Sequence, residues 1–282
     1  KHDAKHKEEL LSVIFSNIIN HRLYIEKNEQ LKIFFINTVL KNINHLCEDK
    51  KNIIQEYIFN YYYKKKSVYE TINYLLKILK LDDTRDNFIK IICATLRKNN
   101  LTADEKKKII QKLNILKNKG KNLKFKNILL NEIEILQKKI LLKSKPRKLH
   151  VLLTTRCNLN CIMCYIPKNK SIYEIGEAFL KFIEKTIPYL ETLTWQGGEV
   201  FLYNKFIPLF ELAGKNGVKQ NIITSGLMLN NKTIDCLIKY DTELTISIDS
   251  VVPKTYEKIR YGAHFEQLLK NLQILKEYKR IK

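Results

Sequence analysis

Glycine and proline are nearly missing from the first half of this 282-residue chain. None of its 8 glycines precedes Gly120, and none of its 5 prolines precedes Pro146. Hairpins and tight turns draw on those two residues, so residues 1–119 are not a β-rich segment. Cysteine is also scarce, with 6 in the chain. Three of them (Cys47, Cys93 and Cys236) stand apart among apolar neighbours, as small buried hydrophobes do. That excludes a disulfide framework and points to a reducing compartment, the cytoplasm. Long apolar runs are absent, the longest being stretches such as Ile33–Ile36, so no membrane span is expected. The opening residues, Lys1 to Lys7, lack the apolar core of a signal peptide. Position 1 is Lys rather than Met, and the natural start is expected to lie upstream.

Acidic residues are few, 29 against 51 Lys+Arg, for a net charge of +22. The excess is uneven: residues 1–150 carry a net +17 and residues 151–282 a net +5. A basic module can bind nucleic acid or another anionic surface through its field. A bias toward Lys, Asn and Ile can equally fill solvated helix faces with lysine, and the dispersal of the lysines without a nucleic-acid motif fits this second reading. The apolar fraction of 45% is ample for a core.

Residues 8–143 read as helices. Apolar residues recur at helical spacing in Leu10, Leu11, Ile14, Ile18 and Ile19, and again in Ile72, Leu75, Leu76 and Leu79. Thr102-Ala103-Asp104-Glu105 is a capping box opening a helix with Ile109, Ile110 and Leu113 on one face, and Gly120 marks its end. Tyr57, Tyr61, Tyr62, Tyr63 and Tyr69 cluster beside Lys64, Lys65 and Lys66. They can stack bases, or form the core edge of an amphipathic helix, the more ordinary arrangement. The pattern predicts an all-α domain over 1–143 for a partner or substrate, and a linker over 144–148 around Pro146.

The pattern changes after the linker. Strand-like stretches at Leu149–Leu153, Thr192–Trp195, Lys219–Thr224 and Glu243–Ile248 alternate with helical ones near 172–187, 205–215, 231–239 and 263–279. Such alternation predicts βαβ units on a parallel sheet, whose functional groups gather at the C-terminal ends of the strands. Every notable motif of this half falls at such an end. After the first strand, Cys157, Cys161 and Cys164 follow a C-x-x-x-C-x-x-C spacing. A structural zinc or an electron-transfer cluster normally takes four protein ligands. Three thiolates on a [4Fe–4S] cubane leave one iron open. After the second strand comes Gly197-Gly198-Glu199, glycines for close approach and a carboxylate able to hold an ammonium. Thr224-Ser225-Gly226 follows the third strand. Ser247-Ile248-Asp249 follows the fourth, with Arg260 further on.

These elements, in this order, resemble the radical S-adenosylmethionine (SAM) enzymes, particularly the peptide-maturase, sulfatase-maturase and related SPASM-type branch. The resemblance covers residues 147–282 and departs at Met163, where an aromatic is usual, and at Val200, where proline is common. It implies an α/β fold, a partial (β/α)6 barrel of four βα units over 149–282. The family core has six units, so the chain is expected to be a fragment at both ends. It implies that Cys157, Cys161 and Cys164 ligate a [4Fe–4S] cluster. Gly197, Gly198 and Glu199 would receive the amino group of S-adenosyl-L-methionine, and Thr224, Ser247 and Arg260 its carboxylate or ribose, with Asp249 near the ribose. Reductive cleavage of SAM would give a 5′-deoxyadenosyl radical that abstracts hydrogen from a substrate. The partners implied are a reductant such as flavodoxin or ferredoxin and a peptide or protein substrate. Two alternatives stay open: a radical SAM enzyme that modifies RNA, in keeping with the basic half, and a non-enzymatic helical interaction protein with a zinc-binding cysteine loop, for which His150 is the nearest histidine.

Overall fold

The computed structural model describes residue 70, residues 101–166 and residues 171–280, with residues 279 and 280 described by backbone alone. The helical periodicity of residues 8–79, the tyrosine cluster, Cys47 and Cys93 lie outside the described residues, Glu70 excepted. The chain divides into two compact units, Lys1–Phe125 with Glu132–Ile140, and Lys126–Asn131 with Leu141–Lys282.

In the first unit, helix α1 (Ala103–Lys119) opens on the capping box expected of it. The Thr102 hydroxyl accepts from the Glu105 N–H, and Glu105 accepts from the Thr102 N–H. Both orphan donors of the first turn are thereby satisfied. Ile109 and Leu113 are buried, one turn apart on the same face, and Gly120 closes the helix with its N–H on the Leu116 carbonyl.

The second unit is a four-stranded parallel sheet in the order β1 (Lys148–Leu152), β2 (Thr192–Gln196), β3 (Lys219–Thr224), β4 (Thr242–Ile246). Helices α3 (Glu177–Thr186), α4 (Phe206–Lys215) and α5 (Asn231–Leu237) follow the first three strands, after α2 (Leu123–Leu136) earlier in the chain; α6 (Pro253–Ile259) and α7 (Phe265–Arg280) follow β4. Strand register aligns Val151, Trp195, Ile222 and Leu244 in one rung across the sheet. That rung lies in the main core with Leu180, Ile183, Phe206, Phe210 and Ile234 of the helices. Trp195, fully buried, donates its indole N–H to Gln220 at 2.7 Å, and Gln220 donates onward to the Phe210 carbonyl. The polar handle of a buried Trp is thus satisfied, as burial demands.

The opposite rung reads His150, Thr194, Asn221, Glu243. Parallel sheets normally bury apolar residues on both faces. Here only Thr194 of the four is buried and the rest are open to varying degrees, so this face is built for polar contacts rather than for a second apolar layer.

The segment around Pro146 is tied down by side chains. Asn127, almost fully buried, accepts from the Lys145 N–H at 2.7 Å and donates to the Lys145 carbonyl at 2.9 Å, as a neighbouring strand would. Arg147 pairs with Glu191 at the start of β2.

Element boundaries differ from the sequence expectation in one instructive place. Residues 172–175 are extended rather than helical, because their backbone is claimed by the chain leaving β1. Thr155 N–H donates to the Tyr173 carbonyl, Ile175 N–H to the Leu153 carbonyl, and Thr154 and Glu174 form an antiparallel bridge. Helix α6 lies between the helical stretches that the sequence pattern predicts. Pro253 supplies its first turn, where a missing N–H costs nothing.

Candidate functional site

Strand β1 ends at Leu152, and the next twelve residues run to Cys164 as a loop without regular structure. Two neighbours hold it. The first is the turn after β2: Gly198 N–H donates to the Thr154 carbonyl at 2.7 Å and Glu199 N–H to the Arg156 carbonyl at 2.8 Å. This approach admits glycine alone. A Cβ on Gly198 would lie 2.1 Å from the Arg156 carbonyl oxygen, and one on Gly197 2.5 Å from that of Thr154. The second is the end of α6. Asn160 N–H donates to the Tyr261 carbonyl at 2.8 Å and Ile162 N–H to the Ile259 carbonyl at 2.9 Å. Cys161 is therefore pinned on both sides by the backbone flanking Arg260.

The Glu199 side chain turns inward. It is fully buried, and its carboxylate accepts from the Thr224 hydroxyl at 2.8 Å, the Ser225 hydroxyl at 2.7 Å and the Ser225 N–H at 3.1 Å. A buried carboxylate must be met by donors of this kind, and the β3 turn supplies them. Gly226 adopts φ +79°, with Ile246 and Leu268 each 3.0 Å from where a Cβ would stand. Its carbonyl accepts from the buried Asn271 of α7 at 2.8 Å. At β4, Ser247 N–H donates to the Thr224 carbonyl at 3.0 Å. Beyond it, Asp249 pairs with Arg260, Oδ2 to Nε 2.5 Å. Arg260 Nη1 lies 3.9 Å from Cys161 Sγ.

The ten residues singled out from the sequence thus lie along one edge of the sheet. The cysteine loop joins Gly198 and Glu199 on one side and Arg260 with Asp249 on the other; Thr224 and Ser225 join Glu199, and Ser247 joins Thr224. Sequence reasoning missed Tyr256, Asn271 and the carbonyls of Ile259 and Tyr261. Asn271 carried a signal, a polar residue within the apolar stripe of Leu268, Leu272 and Leu275. The carbonyls carried none, since every residue type has one.

All three thiols are free; Cys157 and Cys164 are exposed and Cys161 half-buried. Burial pushes the Cys157 thiol up, the Leu159 N–H pulls it down, and the charges of Glu199, Cys161 and Cys164 push it up further. Burial likewise raises Cys161, against the pull of the Arg260 guanidinium. Cys157 and Cys161 are thus near enough to Cys164 to feel its charge. Among the described residues no three His, Cys, Asp or Glu side chains converge on a single metal ion. A cubane instead takes its thiolates on three separate irons and suits donors spread along a loop. Two polar atoms near Cys161, the Tyr256 hydroxyl and Arg260 Nε, are buried with no hydrogen-bond partner among the described residues. The donor set and its spread fit an iron–sulfur cluster.

Comparison with known proteins agrees with this geometry. The sequence model of the Radical SAM superfamily matches residues 151–281. The chain is 27% identical over 143 residues to the antilisterial bacteriocin subtilosin biosynthesis protein AlbA of Bacillus subtilis, covering 47% of this chain and 32% of that protein. It is 33% identical over 114 residues to an S-adenosylmethionine-dependent nucleotide dehydratase of Selenomonas ruminantium, covering 38% of this chain and 41% of that one. Among solved structures, that of Streptococcus suis SuiB bound to the precursor peptide SuiA is similar at TM-score 0.44 and 18% identity, over 54% of this chain and 36% of SuiB. The chain spans about a third to two-fifths of the curated relatives' lengths. Residues 151–281, carrying the three-cysteine loop on a parallel sheet, are a domain of the Radical SAM superfamily.

Proposed function

We propose that this chain carries the SAM-cleaving part of a radical enzyme acting on a peptide or protein. One observation carries the reading: a loop with three free thiols is stapled by backbone hydrogen bonds to the Gly197-Gly198-Glu199 turn and to the end of α6, at the C-terminal edge of a parallel sheet.

Cys157, Cys161 and Cys164 would hold the [4Fe–4S] cluster. Bound there, the group would supply one-electron reduction of SAM and, through it, the power to abstract hydrogen from a substrate. The protein's share is orientation and exclusion of water. Glu199 acts through its fold: buried on Thr224 and Ser225, it locks the ends of β2 and β3 together and presents the backbone of Gly197 and Gly198 to the site. Ser247, the residue after β4, would meet the carboxylate or ribose of SAM. The polar face of His150, Asn221 and Glu243 would meet the substrate. A peptide is supported by the maturase-type order of the motifs and by the likeness to AlbA; flavodoxin or ferredoxin would supply the electron, in the cytoplasm.

The test is anaerobic reconstitution followed by electron paramagnetic resonance with and without SAM. We expect a reduced-cluster signal that shifts on adding SAM and is lost in Cys161→Ala. Stoichiometric zinc with no cluster would overturn the proposal. Once a cluster is in hand, 5′-deoxyadenosine formation stimulated by nucleotides but not by peptides would overturn the substrate class.

A further inference from the structure

Arg260 stands where two independent constraints meet. Its guanidinium is mostly buried, with Nε in an ion pair with Asp249 but without a hydrogen bond among the described residues, and Nη1 directed at Cys161 Sγ, 3.9 Å away. The backbone on either side of it, Ile259 and Tyr261, accepts from the N–H groups on either side of Cys161, Ile162 and Asn160. The Tyr256 hydroxyl, one helical turn earlier on α6, is buried without a hydrogen-bond partner among the described residues, and its surroundings include Arg260, Cys161 and Asp249. A mostly buried cation held by a carboxylate and aimed at a thiol is an expensive arrangement for a residue that serves only as a hydrophilic surface group.

We infer that Arg260, oriented by Asp249, is a positioning residue for Cys161. Its guanidinium donates to the cluster-bearing thiolate and stabilises the reduced cluster, with the Tyr256 hydroxyl as an uncharged donor beside it. This rests on the proposed cluster and reassigns Arg260 from the SAM carboxylate to the iron–sulfur ligand. The physics is direct. Reduction adds negative charge to the cluster, and a fixed positive charge at a ligand sulfur favours the more negative state, so hydrogen bonds and charge near the sulfurs set the potential. The ion pair with Asp249 biases the planar fork toward one orientation, which a flexible lysine could not supply as well.

The experiment is a redox titration of the reconstituted chain without SAM, followed by electron paramagnetic resonance, for wild type, Arg260→Gln and Arg260→Lys. In Arg260→Gln we expect the reduced form to be destabilised about tenfold, a midpoint about 59 mV more negative for a one-electron couple. Arg260→Lys should recover part of that shift. A midpoint unchanged in Arg260→Gln, with the SAM-induced spectral shift lost, would overturn the inference and return Arg260 to SAM. Should Arg260→Gln take up no cluster, wild-type protein labelled with ¹⁵N in the arginine guanidinium decides the matter. A nitrogen coupling to the SAM-free cluster upholds the inference, and its absence overturns it. Failure of the wild-type chain to bind any cluster would instead overturn the proposed function.

Discussion

Cys157 and Cys161 are two residues whose chemistry is altered by their surroundings. For both, burial is the largest influence and raises the thiol above its ordinary value of 9.0. The protonated form is therefore favoured in the folded chain. Above that value the unfolded chain binds fewer protons than the folded one, so this pair contributes less to stability as pH climbs through the raised values. At neutral pH, iodoacetamide should alkylate Cys157 and Cys161 of the cluster-free protein more slowly than in urea, and the rate should keep rising beyond pH 9.0. In urea the same thiols should react at lower pH. Equal rates in the folded and unfolded chain would show the loop to be open. Since ligands must shed their protons to bind, cluster loading should also improve with rising pH. The cysteines were legible in the sequence by spacing. The inward turn of Glu199 was not, because its partners Thr224 and Ser225 lie 25 and 26 residues away.

Among the elements, the strands were the most legible and the loops between them the least. All four strands were visible as short strand-like stretches between helical ones, and each stands within two residues of its expected bounds. The extended stretch at 172–175 was hidden, since its conformation depends on backbone pairing with the chain leaving β1 rather than on its own side chains. Gly198 shows how one element constrains another. A methyl group there would collide with the Arg156 carbonyl, and backbone cannot yield as a side-chain tip does. Gly198→Ala should cost about 1–3 kcal/mol by overpacking, visible as a melting temperature lowered by several degrees. It should also lower iron content on reconstitution, because the displaced segment leads directly into Cys157. A variant with wild-type melting and wild-type iron content would refute the close approach of β2 and the loop.

At the scale of the whole molecule, the two compact units meet in the sequence near Ile140. Gln137 ends α2, Lys138 takes φ 54°, and Ile140, Leu141 and Leu142 are exposed at 96%, 87% and 51%. Exposed backbone with few hydrogen bonds is where proteases cut. Among the described residues, trypsin should cleave after Lys138, Lys139 or Lys143 before it cleaves within the sheet, as read by mass spectrometry of a time course. Early cuts after Lys148 or Lys219, which lie in β1 and β3, would contradict the sheet. No helix of the described residues is long and apolar enough to cross a membrane.

Local sequence by itself determined the alternation of strands and helices, the capping box of α1, the cysteine spacing and the order of the strand-end motifs. These depend on period, turn chemistry and neighbours a few residues apart. Only the tertiary structure decided that Glu199 is a buried strut, that Asn127 serves as a strand partner for Lys145, and that α6 pins Cys161 and sets Arg260 against it. Those facts join residues up to 99 positions apart. Contacts across such distances are set by how the sheet stacks its strand ends and by which buried groups must find partners, and no local pattern encodes them.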